Sequence, residues 1–122
     1  LKPGEIHYYD LAELILKPDA HVVVAQVGEE LVGLGYALLV PSIDYRTHDV
    51  HAYLGFMYVK PSFRGRGINQ LVLDDLIDWA KRRGVYEIQL EVYPDNVAAV
   101  RAYEKAGCKP NLLRMRMDVK TL

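Results

Sequence analysis

The spacing of apolar positions along this 122-residue chain changes from runs suited to strands to a helical repeat near residue 67. Val22 to Val27 and Leu31 to Val40 are apolar runs separated by Gly28-Glu29-Glu30, a pattern that predicts a hairpin. Gly33 and Gly35 weaken or kink its second strand. Residues 41–50 are polar and aromatic without a period and predict a loop before a third strand, Ala52 to Val59. Pro61 closes that strand, since proline has no N–H to give to a ladder. From Gly67 onward Ile68, Leu71, Val72, Leu76, Ile77 and Ala80 recur at helical spacing, with Asp74, Asp75 and Asp78 opposite them. This predicts an amphipathic helix with one face in the core. Lys81, Arg82 and Arg83 suit the negative end of its dipole, and Gly84 supplies a left-handed stop. Ile88, Leu90 and Val92 then alternate with Glu87, Gln89 and Glu91 as far as Pro94, which predicts a strand. Strand, helix and strand in that order imply a right-handed parallel crossover.

A second helix is expected from Val97 to Ala106, capped by Asp95 or Asn96 and stopped by Gly107. It places Asn96, Val100 and Tyr103 on one stripe, where a tyrosine is ordinarily a core residue. The tail from Leu112 to Val119 alternates apolar and basic residues through Leu113-Arg-Met-Arg-Met117 and predicts a final strand with its arginines in solvent. Ahead of the hairpin, Asp10 to Leu16 has room for one short helix that ends near Pro18. The pattern is α+β, and a chain of this length carries one core, so residues 1–122 are expected to form a single domain.

The formal net charge of −1 provides no basic field for nucleic acid, which is not expected as a partner. The lone Cys108 excludes an internal disulfide and fits a reducing cytoplasm. It follows Gly107 at a helix end with no histidine near it in sequence, and reads as a small buried apolar residue rather than a nucleophile. No apolar run reaches transmembrane length and no signal segment opens the chain, so a cytoplasmic protein without a membrane partner is expected. His48 and His51, with Asp44 and Asp49 nearby, raise the question of a metal. Three-residue spacing in a loop without a second cluster is poor ligand geometry, and no metal site is expected.

The chemistry concentrates in Val59-Lys-Pro-Ser-Phe-Arg64-Gly65-Arg66-Gly67-Ile68-Asn69, which joins the third strand to the amphipathic helix. Glycines let backbone N–H groups approach a ligand closely, and the helix points its unpaired first-turn amides into the same space. A pyrophosphate suits such a turn; taken alone, the run is equally a solvated basic turn. It is not the Gly-x-x-x-x-Gly-Lys-Ser/Thr loop of nucleotide hydrolases, and there is no dinucleotide-type triple glycine.

Two separated motifs in this order resemble the GNAT superfamily of N-acetyltransferases, which use acetyl-coenzyme A. The family's phosphate signature, Arg/Gln-x-x-Gly-x-Gly/Ala, stands here as Arg64-Gly65-Arg66-Gly67-Ile68-Asn69 after a strand ending Tyr58-Val59-x-Pro61. The second motif stands as Asn96-Val-Ala-Ala-Val-Arg-Ala-Tyr103-Glu-Lys-Ala-Gly107. The resemblance covers the chain from about Val22 to its C-terminus. It implies a mixed, mostly antiparallel sheet with splayed central parallel strands, flanked by helices in a three-layer α/β arrangement. The family's opening strand and helical pair are expected to be missing or shortened here, either because the chain is a truncated form or because another subunit or a bare surface replaces the wall that normally shapes the acceptor site. Asn69 also departs from the pattern, where the family prefers Gly or Ala; a small amide there can still donate to a phosphate.

The resemblance further implies the binding mode. The strand Ala52 to Val59 splays from its neighbour Tyr86 to Tyr93, and pantetheine amides bond to the exposed backbone of Met57, Tyr58 and Val59 as an added strand would. Arg64, Gly65, Arg66, Gly67, Ile68 and Asn69 form the pyrophosphate loop, and Asn96 lies near the pantetheine arm. Acetyl-coenzyme A is then the cosubstrate and a primary amine the acceptor. The amine attacks the thioester to give a tetrahedral oxyanion held by a backbone N–H, and Tyr103 meets the departing thiolate. A phenol near pKa ~10 gives its proton to a thiolate of pKa ~8.5 at a cost of roughly 2 kcal/mol, so hydrogen bonding without full transfer suffices. A lysine-like ammonium loses its proton at a cost of about 4.6 kcal/mol at pH 7, which demands a base or a desolvating site. Many members carry an acidic residue in the splayed strand, where this chain has Leu54-Gly55-Phe56. Glu91 and His51 are the remaining candidates, each with an alternative reading as an exposed polar residue. Family likeness also raises a homodimer. The alternative to an enzyme is a noncatalytic sensor or regulatory module that binds acyl-coenzyme A.

Overall fold

The computed structural model describes residues 18–41 and 50–121. The expected helix at Asp10 to Leu16 lies outside the described residues, as do Asp44, His48 and Asp49 with the expected loop they belong to.

Strands β1 (Ala20–Val27) and β2 (Glu30–Pro41) form the predicted hairpin. Its turn, Gly28-Glu29, is reversed by Gly28 at φ 61°, a left-handed conformation that glycine adopts without a Cβ penalty. Strand β3 (Val50–Val59) runs antiparallel to β2, from Val50 opposite Pro41 to Val59 opposite Gly33. Pro41 and Val50, expected as loop ends, are therefore strand residues. After β3, a single 3₁₀ turn at Pro61–Phe63 leads into helix α1 (Ile68–Arg82) and then strand β4 (Ile88–Leu90), which pairs parallel to β3. The strand order is β1-β2-β3-β4 in a mixed sheet, and the predicted parallel crossover is present.

Ile68, Val72, Leu73, Leu76, Trp79 and Ala80 form the buried face of α1. Leu71, expected on that face, is 68% exposed. At about 100° per residue the buried positions run from Ile68 through Trp79, Val72, Leu76 and Ala80 to Leu73, an arc of about 140°, and Leu71 lies about 60° outside the Ile68 edge of that arc. Across from the helix the sheet supplies Val32, Ala37, Ala52 and Leu54, all buried. A Cβ on Gly35 would lie 2.6 Å from Met57 Sδ and 2.9 Å from Val72 Cγ1, and one on Gly33 would lie 3.1 Å from Ile68 Cγ2. These glycines let the helix sit down on β2. Burying Leu76, at 0% exposure, contributes roughly 1.5–3 kcal/mol.

The far end of α1 is fastened to β1 by polar contacts. His21 stacks on Trp79 at 5.4 Å between ring centroids and shares a 2.9 Å hydrogen bond with Asp75. The Arg83 guanidinium lies 5.2 Å from the Trp79 centroid and donates to Asp19 at 3.0 Å. Gly84, at φ 76°, then reverses the chain as expected.

The chain divides into two compact units, the first ending at Glu91 and the second beginning at Val92. The second holds α2 (Val97–Ala106), capped at Asn96 and ended by Gly107 at φ 113°. Two strand expectations are corrected here. The ladder of β4 stops at Leu90 rather than near Pro94, and residues 112–119 form no strand. Leu113, Met115, Met117 and Val119 are all exposed. Alternation fixes which faces an extended segment presents, but a ladder also needs a partner distant in sequence, which alternation does not supply. No described helix is long and apolar enough to cross a membrane.

Candidate active site

In the first unit, β3 changes character halfway along. Ala52, Tyr53 and Leu54 pair with Ile88, Gln89 and Leu90. Beyond Leu54 the ladder with β4 ends, while β3 continues through Gly55 to Val59 against β2 alone. The register against β2 shifts over the same stretch: Tyr58 lies opposite Leu34 but Gly55 opposite Tyr36. This inserts an extra residue into β3, the mark of a β-bulge that bends its strand. The edge of β3 that turns away from β2 thus continues past the last β4 pair, at Leu54, through Met57 and Tyr58.

This edge leads into the Gly-rich turn. Gly65 and Gly67 have φ of 80° and 78°, and a Cβ on either would meet nothing within 4 Å. Both glycines are required by the backbone rather than by crowding, and the space over them is clear. Gly67 is the N-cap of α1, with no side chain capping the helix and no acidic residue in its first turn. The first closed bond runs from the Leu71 N–H to the Gly67 carbonyl at 3.1 Å. The amides ahead of it form the positive, donor-rich end of a helix. Ile68 is buried under the turn, so its backbone alone faces outward. Arg64 is built into the turn: its Nε donates to the Val59 carbonyl at 2.9 Å, and its guanidinium lies 5.8 Å from the Tyr58 centroid. Arg66 lies 4.9 Å from the Phe63 centroid. The Val59 carbonyl is therefore already engaged by a side chain.

The two candidate bases separate. His51 is 6% exposed and sits on β3 opposite Val40, before the stretch paired with β4. Glu91 is exposed just past the end of β4, where the two parallel strands part, and its Oε1 accepts a hydrogen bond from the Tyr53 hydroxyl at 3.3 Å. Sequence reading did not single out Tyr53, nor Tyr36, whose ring lies over Gly55. A Cβ on Gly55 would stand 2.3 Å from both Cζ and Oη of Tyr36.

In the second unit, the Asn96 Oδ1 accepts from the Ala99 N–H at 3.2 Å and caps α2, which leaves its amide NH₂ as the group it can present to a ligand. The Tyr103 hydroxyl is held above the ordinary phenol range, chiefly by burial and secondly by the neighbouring Cys108. Burial likewise raises the Cys108 thiol, which suits an unreactive apolar residue. Among the described residues, no three or more His, Cys, Asp or Glu side chains stand together as metal ligands.

A family model described as the Acetyltransferase (GNAT) family matches residues 2–108. The chain belongs to the GNAT acetyltransferase family. The GNAT match takes in the whole four-stranded sheet, the Gly-rich turn and α2, and stops before the tail. N-alpha-acetyltransferase RimI of Mycobacterium tuberculosis (strain ATCC 25618 / H37Rv) is 35% identical over 105 residues, covering 84% of this chain and 60% of that protein. The ribosomal protein bS18-alanine N-acetyltransferase of Salmonella typhimurium is 39% identical over 56 residues, 46% of this chain and 38% of that protein. The chain thus spans about 60% or less of the length of these two GNAT relatives. A putative acetyl transferase from Pyrococcus furiosus superposes with a TM-score of 0.79 at 29% identity, over 94% of this chain and 76% of that one. AAC(6')-Iy in complex with the bisubstrate analog CoA-S-monomethyl-acetylneamine also gives 0.79, over 96% and 82% of the two chains; at 18% identity the likeness is one of fold. GNAT membership accounts for the mixed sheet that the sequence resemblance implied.

Proposed function

We propose that this chain transfers the acetyl group of acetyl-coenzyme A to a primary amine by direct attack. One observation carries the proposal: the part of β3 left without a β4 partner runs straight into a turn whose two left-handed glycines have clear space above them. Pantetheine amides fit the first as an added strand would. A diphosphate fits the second, on the first-turn amides of α1. Met57 and Tyr58 would contribute backbone; Val59, its carbonyl already bonded to Arg64, would contribute its N–H at most. Gly65, Gly67, Ile68 and Asn69 would hold the diphosphate, with Arg66 adding charge. Asn96 is assigned to the pantetheine arm on the motif it belongs to.

In the reaction the neutral amine adds to the thioester carbonyl, a backbone N–H on β3 stabilises the oxyanion, and the carbon–sulfur bond breaks to release thiolate. Glu91, at the parting of β3 and β4, is the carboxylate suited to take the amine's proton. The buried His51, ahead of the stretch paired with β4, is the weaker candidate. Tyr103 is assigned to the thiolate. Its hydroxyl is harder to ionise than a free phenol, which favours donating a hydrogen bond over surrendering the proton.

The relatives' names point to an α-amine as acceptor, and the energetics agree. An α-amino group of pKa ~7.7–8.0 is deprotonated at pH 7 for roughly 1–1.4 kcal/mol, against about 4.6 for a lysine. One exposed carboxylate is adequate for the former. A homodimer in a reducing cytoplasm belongs to the same proposal, on family likeness and the single cysteine.

Calorimetry with coenzyme A, followed by thiol release from acetyl-coenzyme A with two peptides, tests the proposal. One peptide has a free N-terminus and no lysine; the other is N-terminally blocked and carries a lysine. Heat of binding and faster turnover of the first are expected. A folded protein that shows neither heat nor a thermal shift with coenzyme A defeats the proposal. The absence of a carboxylate from Leu54-Gly55-Phe56 favours the second reading, a noncatalytic acyl-coenzyme A module, and binding without turnover on a broad amine panel would select it.

A further inference from the structure

On the face of the sheet turned away from α1, Tyr36, Tyr53 and Glu91 share the region where the β3–β4 ladder ends. Gly35 faces α1, so the next residue of β2, Tyr36, faces away. The ring of Tyr36 covers the Cβ direction of Gly55, which places Gly55 on the same face, and Tyr53, two residues earlier on β3, shares it. Register agrees: Tyr36 is opposite Gly55, and Leu38 is opposite Tyr53. Glu91 reaches this face from just beyond the last paired residue of β4, and Tyr53 donates to it at 3.3 Å.

We infer that Tyr53 is a positioning residue: it holds the Glu91 carboxylate at the mouth of the β3–β4 gap, beside the Tyr36 ring that fills the place of a side chain at residue 55. The inference rests on the reading of Glu91 as the base. Glu91 lies outside the β4 ladder on an exposed segment, where the Tyr53 hydroxyl is one of the groups that hold its carboxylate. Tyr53 is anchored in the paired part of β3, flanked by the fully buried Ala52 and the nearly buried Leu54. Its rigid phenol therefore projects from fixed backbone and gives the carboxylate a fixed donor. The 3.3 Å separation is long beside the 2.5–3.0 Å usual for O–H···O; catalytic hydrogen bonds in a ligand-free enzyme are commonly long and tighten on binding. Tyr36 has a separate consequence. At residue 55 this chain puts the hydroxyl and ring edge of Tyr36 over a glycine. An incoming amine then meets two phenols and one carboxylate, surroundings that attract an ammonium through ring faces and charge and bind it before the proton is taken.

The test compares Tyr53→Phe, Glu91→Gln and the double variant in acetyl transfer to a peptide with a free N-terminus, each checked by thermal melting and by coenzyme A calorimetry. Tyr53→Phe keeps the ring and its packing and removes only the donor. Expected results are a fall in kcat of about tenfold for Tyr53→Phe with KM for acetyl-coenzyme A unchanged, a fall of about 10²–10⁴ for Glu91→Gln, and a double variant no slower than Glu91→Gln alone. If Glu91→Gln slows the reaction while Tyr53→Phe does not, or if the two losses multiply, the positioning role is overturned and the base survives. If Glu91→Gln leaves kcat intact, the base assignment falls and the positioning role goes with it.

Discussion

Tyr103 shows how residue identity and local burial jointly set chemistry. Its place in the second motif was legible in the sequence, but a stripe position alone does not separate a core tyrosine from a working one. Its ionisation, pushed upward by burial and by Cys108, argues for a hydrogen-bond donor that keeps its proton. Tyr103→Phe should lower kcat about 10–100-fold, toward the low end of the range for general acid–base groups, and leave the calorimetric affinity for coenzyme A unchanged. An unchanged kcat would remove Tyr103 from the mechanism. Gly65 and Gly67 were equally legible as turn glycines ahead of an amphipathic helix, and both are left-handed in the structure. Tyr53 and Tyr36 were not: their importance depends on the residues opposite them in the ladder, and register is a long-range property. Arg64 belongs to the expected pyrophosphate loop, yet its Nε is turned back onto the carbonyl of Val59.

At the scale of elements, α1 was the most legible part of the chain: it runs from Ile68 to Arg82, and the left-handed Gly84 follows its C-cap, Arg83. Its buried face is rotated from the expected one, because helical spacing alone admits Leu71 to a stripe that the sheet does not cover. The two leucines provide a direct check. Leu76→Ala, at a site with no exposure, should cost about 2–5 kcal/mol in chemical denaturation. Leu71→Ala, at 68% exposure, should stay within about 0.5 kcal/mol of the parent. Similar losses at both sites would contradict the observed packing. The short β4 tells the opposite story. Ile88, Leu90 and Val92 alternate without interruption, so nothing in the sequence announces that pairing ends at Leu90. The end is set by β3, which bulges past Leu54 and leaves its neighbour.

At the scale of the whole molecule, and among the described residues, burial pushes the ionisation of Tyr103 and Cys108 upward in the second unit. Both are shifted upward, which fixes the sign of the pH dependence. Below the ordinary thiol and phenol ranges, native and unfolded chains alike carry these protons, and the stabilisation is fully present. As the pH rises through the higher native values, the folded chain must release protons it holds more tightly than the unfolded chain does, and stability declines. Thermal melts from pH 7 to 11 should therefore show an alkaline fall that is shallower in a Tyr103→Phe, Cys108→Ala double variant. A slope identical to the parent would show that neither group is linked to folding.

The sequence by itself determined the hairpin, the third strand, the crossover through α1, the helix α2, the glycine-marked turns and the family, because each follows from local spacing and from motifs that neighbouring residues complete. Tertiary structure decided where the β3–β4 ladder stops, which face of α1 is buried, that Tyr53 reaches Glu91, and that Tyr36 covers Gly55. Those features depend on pairing register and on backbones brought together from distant parts of the chain, and a local pattern does not encode the distance between residues far apart in sequence.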